Sequence, residues 1–480
     1  MSKSSLKKLS LFSLIMVSSA FVTSVRNLPT IAETGLSMLL FGVIAAIGYF
    51  IPIGLVSAEL ATGWPKKGGV YVWAKEAFGP KMGFVTIWLQ WIYMSFSVVA
   101  MLYFIGGSMA FVFNPDLADS RTFLIIMNLL VIWVFTFLNL RGMETSAKIS
   151  SVGFLSGVVF PAALIITLGV VYILMGKPIA LDLSLTAKNL IPDFRHIGTL
   201  VLLIGFMRAF AGIEASAVHA NEVDNPQRNY PLAILAVVLI GLGVNVLGSL
   251  AVAVVVPQKD ISLIAGIMDA FTVFFNQFHL KWLVPILGFL VACGQIGGVS
   301  TWFTGPIKGI LVAAKDGDLP PFCRKENKHG MPYRLFIIQA VWISIVSTVF
   351  LLLPTLNMAF WISVALSMMI YVTMYFLLLL SGLVLRYKSP DTPRAYKVFG
   401  RNNVGMWITV VVGMATMVFA FIIAIFPPSE LPSHNTTRYI LLLTFSIIAV
   451  FLFPWIVLTL KKHFWGKHPP EEIEQEEENN

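Results

Sequence analysis

Apolar residues along this chain gather in long runs separated by short polar stretches. A helix needs about 20 mostly apolar residues to cross the hydrocarbon of a bilayer, and runs of that order fall near 10–34, 37–62, 84–113, 121–140, 147–175, 199–222, 230–256, 282–314, 334–354, 358–386, 404–426 and 438–460. The pattern predicts an all-α polytopic membrane protein of about 12 transmembrane helices. No soluble domain is inserted between them. The stretches 176–198 and 257–281 mix polar and aromatic residues and are expected to form short amphipathic helices at the outer interface. The basic, glycine-bounded segment from Trp64 to Phe84 is expected along the inner surface.

Two runs are interrupted. The first contains Ser24-Val25-Arg26-Asn27-Leu28-Pro29, and the sixth contains Arg208, Phe210, Ala211, Gly212 and Glu214 within Phe206–Pro231. A charged side chain at bilayer depth costs a few kcal/mol or more, roughly 2.5–3.5 on insertion scales. Unwound backbone survives there only inside protein or against a cavity, and paired broken helices are how many transporters build a substrate site. The two breaks lie five helices apart, so helices one to five (about 10–175) and six to ten (about 199–386) are expected to be inverted repeats, with two helices appended over about 404–460. Residues 10–460 then form a single transporter domain behind a cytoplasmic N-terminus of residues 1–9. The stretch 461–480, ending HPPEEIEQEEENN, is expected to be a disordered, solubilising acidic tail.

Composition agrees: 57% hydrophobic, 12% charged and a mean hydropathy of +0.84 leave too little polar surface for a soluble globule. The net charge of +9 is no sign of nucleic-acid binding, because the basic residues sit in short loops. With both termini cytoplasmic, 23 Lys/Arg fall inside and 7 outside; the remaining three, Arg26, Arg208 and Lys308, lie within spans. A multi-pass plasma-membrane protein, in a bacterium the inner membrane, is expected. Lys3, Lys7 and Lys8 ahead of an apolar stretch resemble a signal peptide, yet the apolar run continues past Ser18-Ser19-Ala20, which favours a retained first helix. Cys293 and Cys323 show neither metal nor disulfide spacing. HExxH, paired intramembrane aspartates and Cys/His clusters are all missing from the sequence, so an enzyme is not expected and neither cofactor nor metal is assigned.

Gly212-Ile213-Glu214-Ala215-Ser216, Asn221-Glu222 and Asn225-Pro226-x-Arg228-Asn229-Tyr230-Pro231 resemble the sixth helix and following loop of the amino acid–polyamine–organocation transporters. Pro52-x-Gly54-Leu55, Ala58-Glu59 and Gly68-Gly69-Val70-Tyr71-x-Trp73 resemble that family's second helix and inner loop, and Trp302-x-x-Gly305-Pro306 its glutamate/γ-aminobutyrate antiporter branch. The resemblance implies the leucine-transporter-like fold of five plus five inverted helices, with discontinuous helices one and six. It also implies exchange or proton-coupled uptake of amino acids by alternating access.

An amino acid zwitterion needs donors for its carboxylate and acceptors for its ammonium, and a helix break offers free N–H groups on one side and free C=O groups on the other. Backbone around Ser24, Val25, Arg26 and Asn27, and around Phe210, Ala211 and Gly212, is therefore expected to read the α-carbon groups. Selectivity falls to Arg26, Arg208, Phe210, Trp302, Tyr371 and Tyr375, although the aromatic residues serve equally well as packing between helices. Tyr371 and Tyr375, four apart on one face, match tenth-helix tyrosines near the substrate path of the resembled branch. Glu214 is the candidate for proton sensing or gating, with pairing to a neighbouring Arg as its alternative. Glu59 is read as structural, and His219 as a hydrogen-bonded helix histidine rather than a titrating switch. Gly241-x-Gly243-x-x-x-x-Gly248 has no strand before it and is read as helix packing. Ser300 and Thr301 carry oxygens of the kind that bind sodium, but ordinary packing is preferred.

Departures from the resembled pattern add positive charge. Arg26 stands where the glutamate/γ-aminobutyrate branch carries an aromatic residue, Gly298 where it carries an acid, and Arg208 where arginine/agmatine antiporter relatives place an aromatic lid. A substrate with an anionic side chain, glutamate or aspartate most simply, is one expectation. Each Arg paired to Glu214, Glu33 or a carbonyl, with a neutral amino acid or γ-aminobutyrate in the gap, is the other. The longer C-terminal segment that closes the inner mouth of some relatives at neutral pH has no counterpart here, so activity without such a plug is expected, and a strict glutamate for γ-aminobutyrate exchange is not assumed. A channel, or a sensor that binds amino acids without moving them, is the reading from another class.

Overall fold

The computed structural model describes residues 10–464 except 67, 142–152, 193–194, 196, 217–223, 264, 352, 354–355, 401 and 428–435. Expectations for residues 1–9, His219, Asn221-Glu222 and the acidic stretch from 465 onward lie outside the described residues. Every regular element among those described is helical.

The first apolar run becomes α1 (Leu11–Val22), a 3-10 turn at Val25–Asn27 and α2 (Leu28–Ala32). Ser24 is extended, and its hydroxyl accepts the Arg26 N–H at 3.3 Å, capping the restart. Pro29 sits in the first turn of α2, where a missing N–H leaves no bond unmade. Then follow α3 (Gly35–Gly63), α4 (Val70–Phe78), α5 (Pro80–Phe113), α6 (Arg121–Asn139) and α7 (Leu155–Leu174). The sixth run is α8 (Thr199–Ala209), a turn through Phe210, Ala211 and Gly212, and α9 (Ile213–Ser216). Gly212 has φ +107°, a conformation that L side chains rarely adopt, so glycine is needed where this helix breaks. The rest comprises α10 (Pro226–Val255), α11 (Gly266–Gln277), α12 (Leu283–Lys315), α13 (Tyr333–Leu351), α14 (Leu356–Lys388), α15 (Asn403–Ile423) and α16 (Thr436–Phe464). Among the described residues, nine helices are long and apolar enough to cross a membrane: α3, α5, α6, α7, α10, α12, α14, α15 and α16. The two broken units and the shorter α13 complete the expected twelve-helix arrangement.

Small residues bring the two breaks together. A Cβ on Gly205 of α8 would lie 2.9 Å from Thr30 of α2. On α10, a Cβ on Gly241 would lie 2.9 Å from Phe210, and one on Gly248 would lie 2.8 Å from Leu28. These two glycines are two turns apart on one helix face, so α10 backs both interrupted helices at once. Gly243, between them, meets open space. The glycine pattern in this run serves packing.

At the end of the molecule that carries most of the basic loops, Glu59 of α3 is 2% exposed and held bidentately by Arg386 of α14 at 2.8 and 2.7 Å. Arg394 at 3.5 Å and the Val398 N–H at 2.8 Å complete its shell, and Arg394 also lies over the Trp64 ring. Arg386 donates further to the Val398 and Asn402 carbonyls. In α4, Val70, Tyr71, Val72, Trp73 and Ala74 are buried, so one face of this helix packs into the protein, while the side chains of Lys75 and Glu76 stay partly exposed. Tyr71 and Lys75 both bond Asp316 at the end of α12, and buried Asp318 receives Tyr71 and Lys461.

At the opposite end α11 buries Phe271, Phe274 and Phe275, and its Gly266 abuts Pro29. Burial, and then the charge of Asp119, push the Asp269 carboxyl up to about 6. The folded state therefore holds this proton more tightly than the unfolded chain, whose Asp titrates near 3.9. The contribution to stability is complete below that lower value and is lost as pH rises through about 6. The molecule's exterior is apolar, with Ile408, Val411, Leu441, Phe445 and Leu452 exposed on α15 and α16, as a lipid-facing surface requires.

Two outcomes follow from these contacts. Glu59→Ala strands Arg386 and Arg394 without their carboxylate and is expected to destabilise by about 3–5 kcal/mol, read as earlier loss of monodisperse protein on heating in detergent. Protection factors for amide exchange across 266–277, taken against the intrinsic exchange rate at each pH, are expected to fall between pH 5 and 7 in the native protein and to stay level in Asp269→Asn.

Candidate functional site

Between the two breaks lies a cluster of polar side chains with no counterpart in the apolar helices around it. Arg26 is 4% exposed, and its Nη1 donates to the Ser97 carbonyl of α5 at 3.4 Å, while its Nε has no partner among the described residues. Arg208 is 5% exposed; its guanidinium carbon stands 5.6 Å from the Phe360 ring centroid, and Nε and Nη2 are likewise without partners there. Each guanidinium lies in the field of the other, and Tyr93 of α5 lies in the field of both. Thr23 and Thr30, either side of the first break, also keep hydroxyls without partners among the described residues.

Glu214 does not neutralise either arginine. It is 2% exposed and accepts from Gln90 of α5 at 3.2 Å, from the Tyr371 hydroxyl at 2.5 Å and from the Tyr375 hydroxyl. The Tyr375 oxygen in turn accepts the Gly212 N–H at 3.2 Å. The spacing of two tyrosines on α14 thus places one phenol on each carboxylate oxygen, and the same contact ties down the backbone freed at the second break. Tyr93 stacks on Tyr371 and stands 5.7 Å from the ring of Trp302, while Tyr49 meets Tyr375 edge-on at 5.5 Å. Four phenols and an indole therefore gather on one side of the gap.

The structure sorts the sequence candidates. Arg26, Arg208, Glu214, Trp302, Tyr371 and Tyr375 converge on this cluster. Ser24 is pinned from α12, its hydroxyl accepting from Gln295 at 2.9 Å. Asn27 and Ala211 are buried in the breaks. Val25 packs with Leu28 and Ala32 in an apolar cluster, and Phe210 packs between Phe50, at 5.1 Å, and Gly241. Ser300 donates to Asn139 at 2.7 Å, while the side chain of Thr301 lies outside the described residues; among those described, no group of acidic, His or Cys side chains suits a metal ion. Gln90, Tyr93, Ser97, Gln295 and Phe360 join the site without having been singled out in the sequence. The first three had a signal: they recur at i, i+3 and i+7 along α5, a polar stripe on one helix face.

A buried polar and charged cluster of this kind, set between two interrupted helices, is a candidate small-molecule site. The amino acid permease family matches residues 9–452, nearly the whole chain. The chain belongs to that family. This permease is 39% identical over 457 residues to an uncharacterized transporter of Legionella pneumophila, covering 95% of this chain and 97% of that protein. It is 35% identical over 464 residues to a glutamate/gamma-aminobutyrate antiporter of Lactococcus lactis subsp. lactis, covering 95% and 91%. A probable agmatine/putrescine antiporter of the same organism is 23% identical over 401 residues, covering 83% and 84%. The permease is thus an integral membrane transporter of the amino acid permease fold.

Within it, the two phenols are not equivalent. Tyr375→Phe removes a donor from Glu214 and the acceptor of the Gly212 N–H, whereas Tyr371→Phe removes a donor from Glu214 and an acceptor facing the Tyr375 hydroxyl but strands no backbone N–H. A buried hydrogen bond contributes about 1 kcal/mol net, and a stranded donor costs about 1–3 kcal/mol. Tyr375→Phe is expected to lower both the melting temperature and the transport rate in proteoliposomes more than Tyr371→Phe does.

Proposed function

We propose that this permease is a secondary active amino acid exchanger working by alternating access, and that it favours substrates bearing a side-chain carboxylate. The observation that carries the reading is the pair of buried guanidiniums with N–H donors left unpartnered among the described residues. Burying a charge without a partner is expensive, and a planar guanidinium is matched bidentately by a carboxylate. The substrate supplies what the protein withholds.

The rest of the gap suits an amino acid. The N–H groups freed at the restart of α2 and the carbonyls freed where α1 and α8 stop offer donors and acceptors for the α-carboxylate and α-ammonium. Arg26 or Arg208 then takes the distal carboxylate. The glutamate/gamma-aminobutyrate pair in the name of two relatives fits the same chemistry. Losing the α-carboxylate turns glutamate into γ-aminobutyrate and leaves the distal carboxylate in place, so one arginine serves both. Glu214, sealed by Gln90 and the two phenols, is assigned to gating or proton sensing. By the excess of Lys and Arg at one end, that end faces the cytoplasm.

Uptake of labelled amino acids into preloaded proteoliposomes tests the reading. Glutamate and aspartate are expected to lead the panel, followed by γ-aminobutyrate. Arg26→Ala or Arg208→Ala is expected to weaken apparent affinity for acidic substrates by roughly 10- to 100-fold, the worth of one charge-assisted bond, and to affect neutral ones less. An unchanged substrate spectrum in both variants rules the reading out.

A further inference from the structure

We propose that Arg26 and Arg208 act as a charge lock: the unloaded gap cannot close around two uncompensated guanidiniums, so this permease reorients only when loaded and transport is coupled as exchange. The proposal rests on the reading that the compensating anion is the substrate.

Three observations place the lock. First, both guanidiniums are buried between the two breaks, and each lies in the field of the other. Second, Glu214, the acid at the second break, is already engaged. Glu214 takes its hydrogen bonds from Gln90, Tyr371 and Tyr375, and no guanidinium is among its partners within the described residues. Third, the contacts the arginines do have carry no negative charge. Arg26 meets a backbone carbonyl on α5, and Arg208 meets the face of Phe360 on α14. Elsewhere this chain does neutralise buried arginine: Arg386 has both Glu59 oxygens within 2.8 Å. Among the described residues, no carboxylate stands against Arg26 or Arg208 in this way.

Alternating access passes through a state in which the gap is sealed from both aqueous sides. Before sealing, water solvates the two guanidiniums; after it, they sit in a low dielectric, where desolvation and mutual repulsion both oppose the step. A bound carboxylate removes one of these charges and shields the other. Loaded and unloaded carriers therefore share the same open states but differ in the height of the barrier between them, and every tenfold difference in rate corresponds to about 1.4 kcal/mol of barrier. Return of the empty carrier becomes the slow step, and a counter-substrate bypasses it.

The test compares labelled glutamate uptake into liposomes with and without unlabelled glutamate inside. For the native protein, uptake with internal substrate is expected to be at least about tenfold faster, the ratio set by the barrier difference. Equal rates overturn the proposal without any variant being made. In Arg26→Gln and Arg208→Gln, the ratio is expected to fall towards one as net uptake rises, while Arg26→Lys and Arg208→Lys, which keep the charge, retain it. A ratio that stays high in a Gln variant with measurable exchange overturns the lock. The substrate panel is read on the same preparations. A collapsed ratio with acidic preference intact upholds the lock and refutes the carboxylate grip, whereas a lost preference with the ratio intact refutes the lock and leaves the grip standing.

Discussion

Two helices of this permease stop in the middle of an apolar slab, and each stop frees backbone groups that lipid cannot satisfy. Everything near the gap follows from answering that demand with protein. Ser24 accepts the Arg26 N–H and is itself fixed by Gln295, while Tyr375 accepts the Gly212 N–H. The glycine face of α10 supports both breaks by admitting Leu28 and Phe210. Because the breaks are braced from α10, α12 and α14, they persist as built features. The groups left free are then available to a ligand.

The chain treats buried charge in two opposite ways, and the contrast separates architecture from function. Around Glu59, two arginines, a backbone amide and several carbonyls close a network in which the charges have partners. Such a network fixes the adjoining ends of α3 and α14 relative to the loop that follows α14. Around Arg26 and Arg208 the same residue type is buried to a similar degree, yet its donors are left open among the described residues. Retaining two like charges there opposes stability. The arrangement is intelligible as a site that is complete only when occupied.

Much of this was legible in the chain because lipid punishes exceptions so heavily. Arg26, Arg208, Glu214 and Gly212 announce themselves as anomalies in apolar runs, and the four-residue spacing of Tyr371 and Tyr375 placed both on one face. Hydropathy also recovered the helices, since their lengths are set by the bilayer. What it did not recover was the polar stripe Gln90, Tyr93 and Ser97, which is diluted among the tryptophans and leucines of α5 and barely lowers the local hydropathy. Phe360 carried no signal at all, because its contact with Arg208 joins residues far apart in the chain. The amphipathic pattern of Trp64 to Phe84 announced a buried face but not its partners, because the bonds from Tyr71 to Asp316 and Asp318 join residues far apart in the chain.

The separation of Glu214 from the arginines has a consequence for how the gap works. Had the carboxylate paired with Arg208, the site would have been neutralised internally, and binding an anionic group would first have had to break that pair. Gln90, Tyr371 and Tyr375 prevent this by supplying Glu214 with neutral donors. The same phenols connect it to Gly212, the hinge glycine of the second break. In the proposed reading, substrate charge is met on one side of the gap and backbone geometry is held on the other, with Tyr93 stacked on Tyr371 between them. Closing the gap on a substrate must bring both sides into register, so recognition and the conformational step are joined through the aromatic wall and not through a shared ion pair.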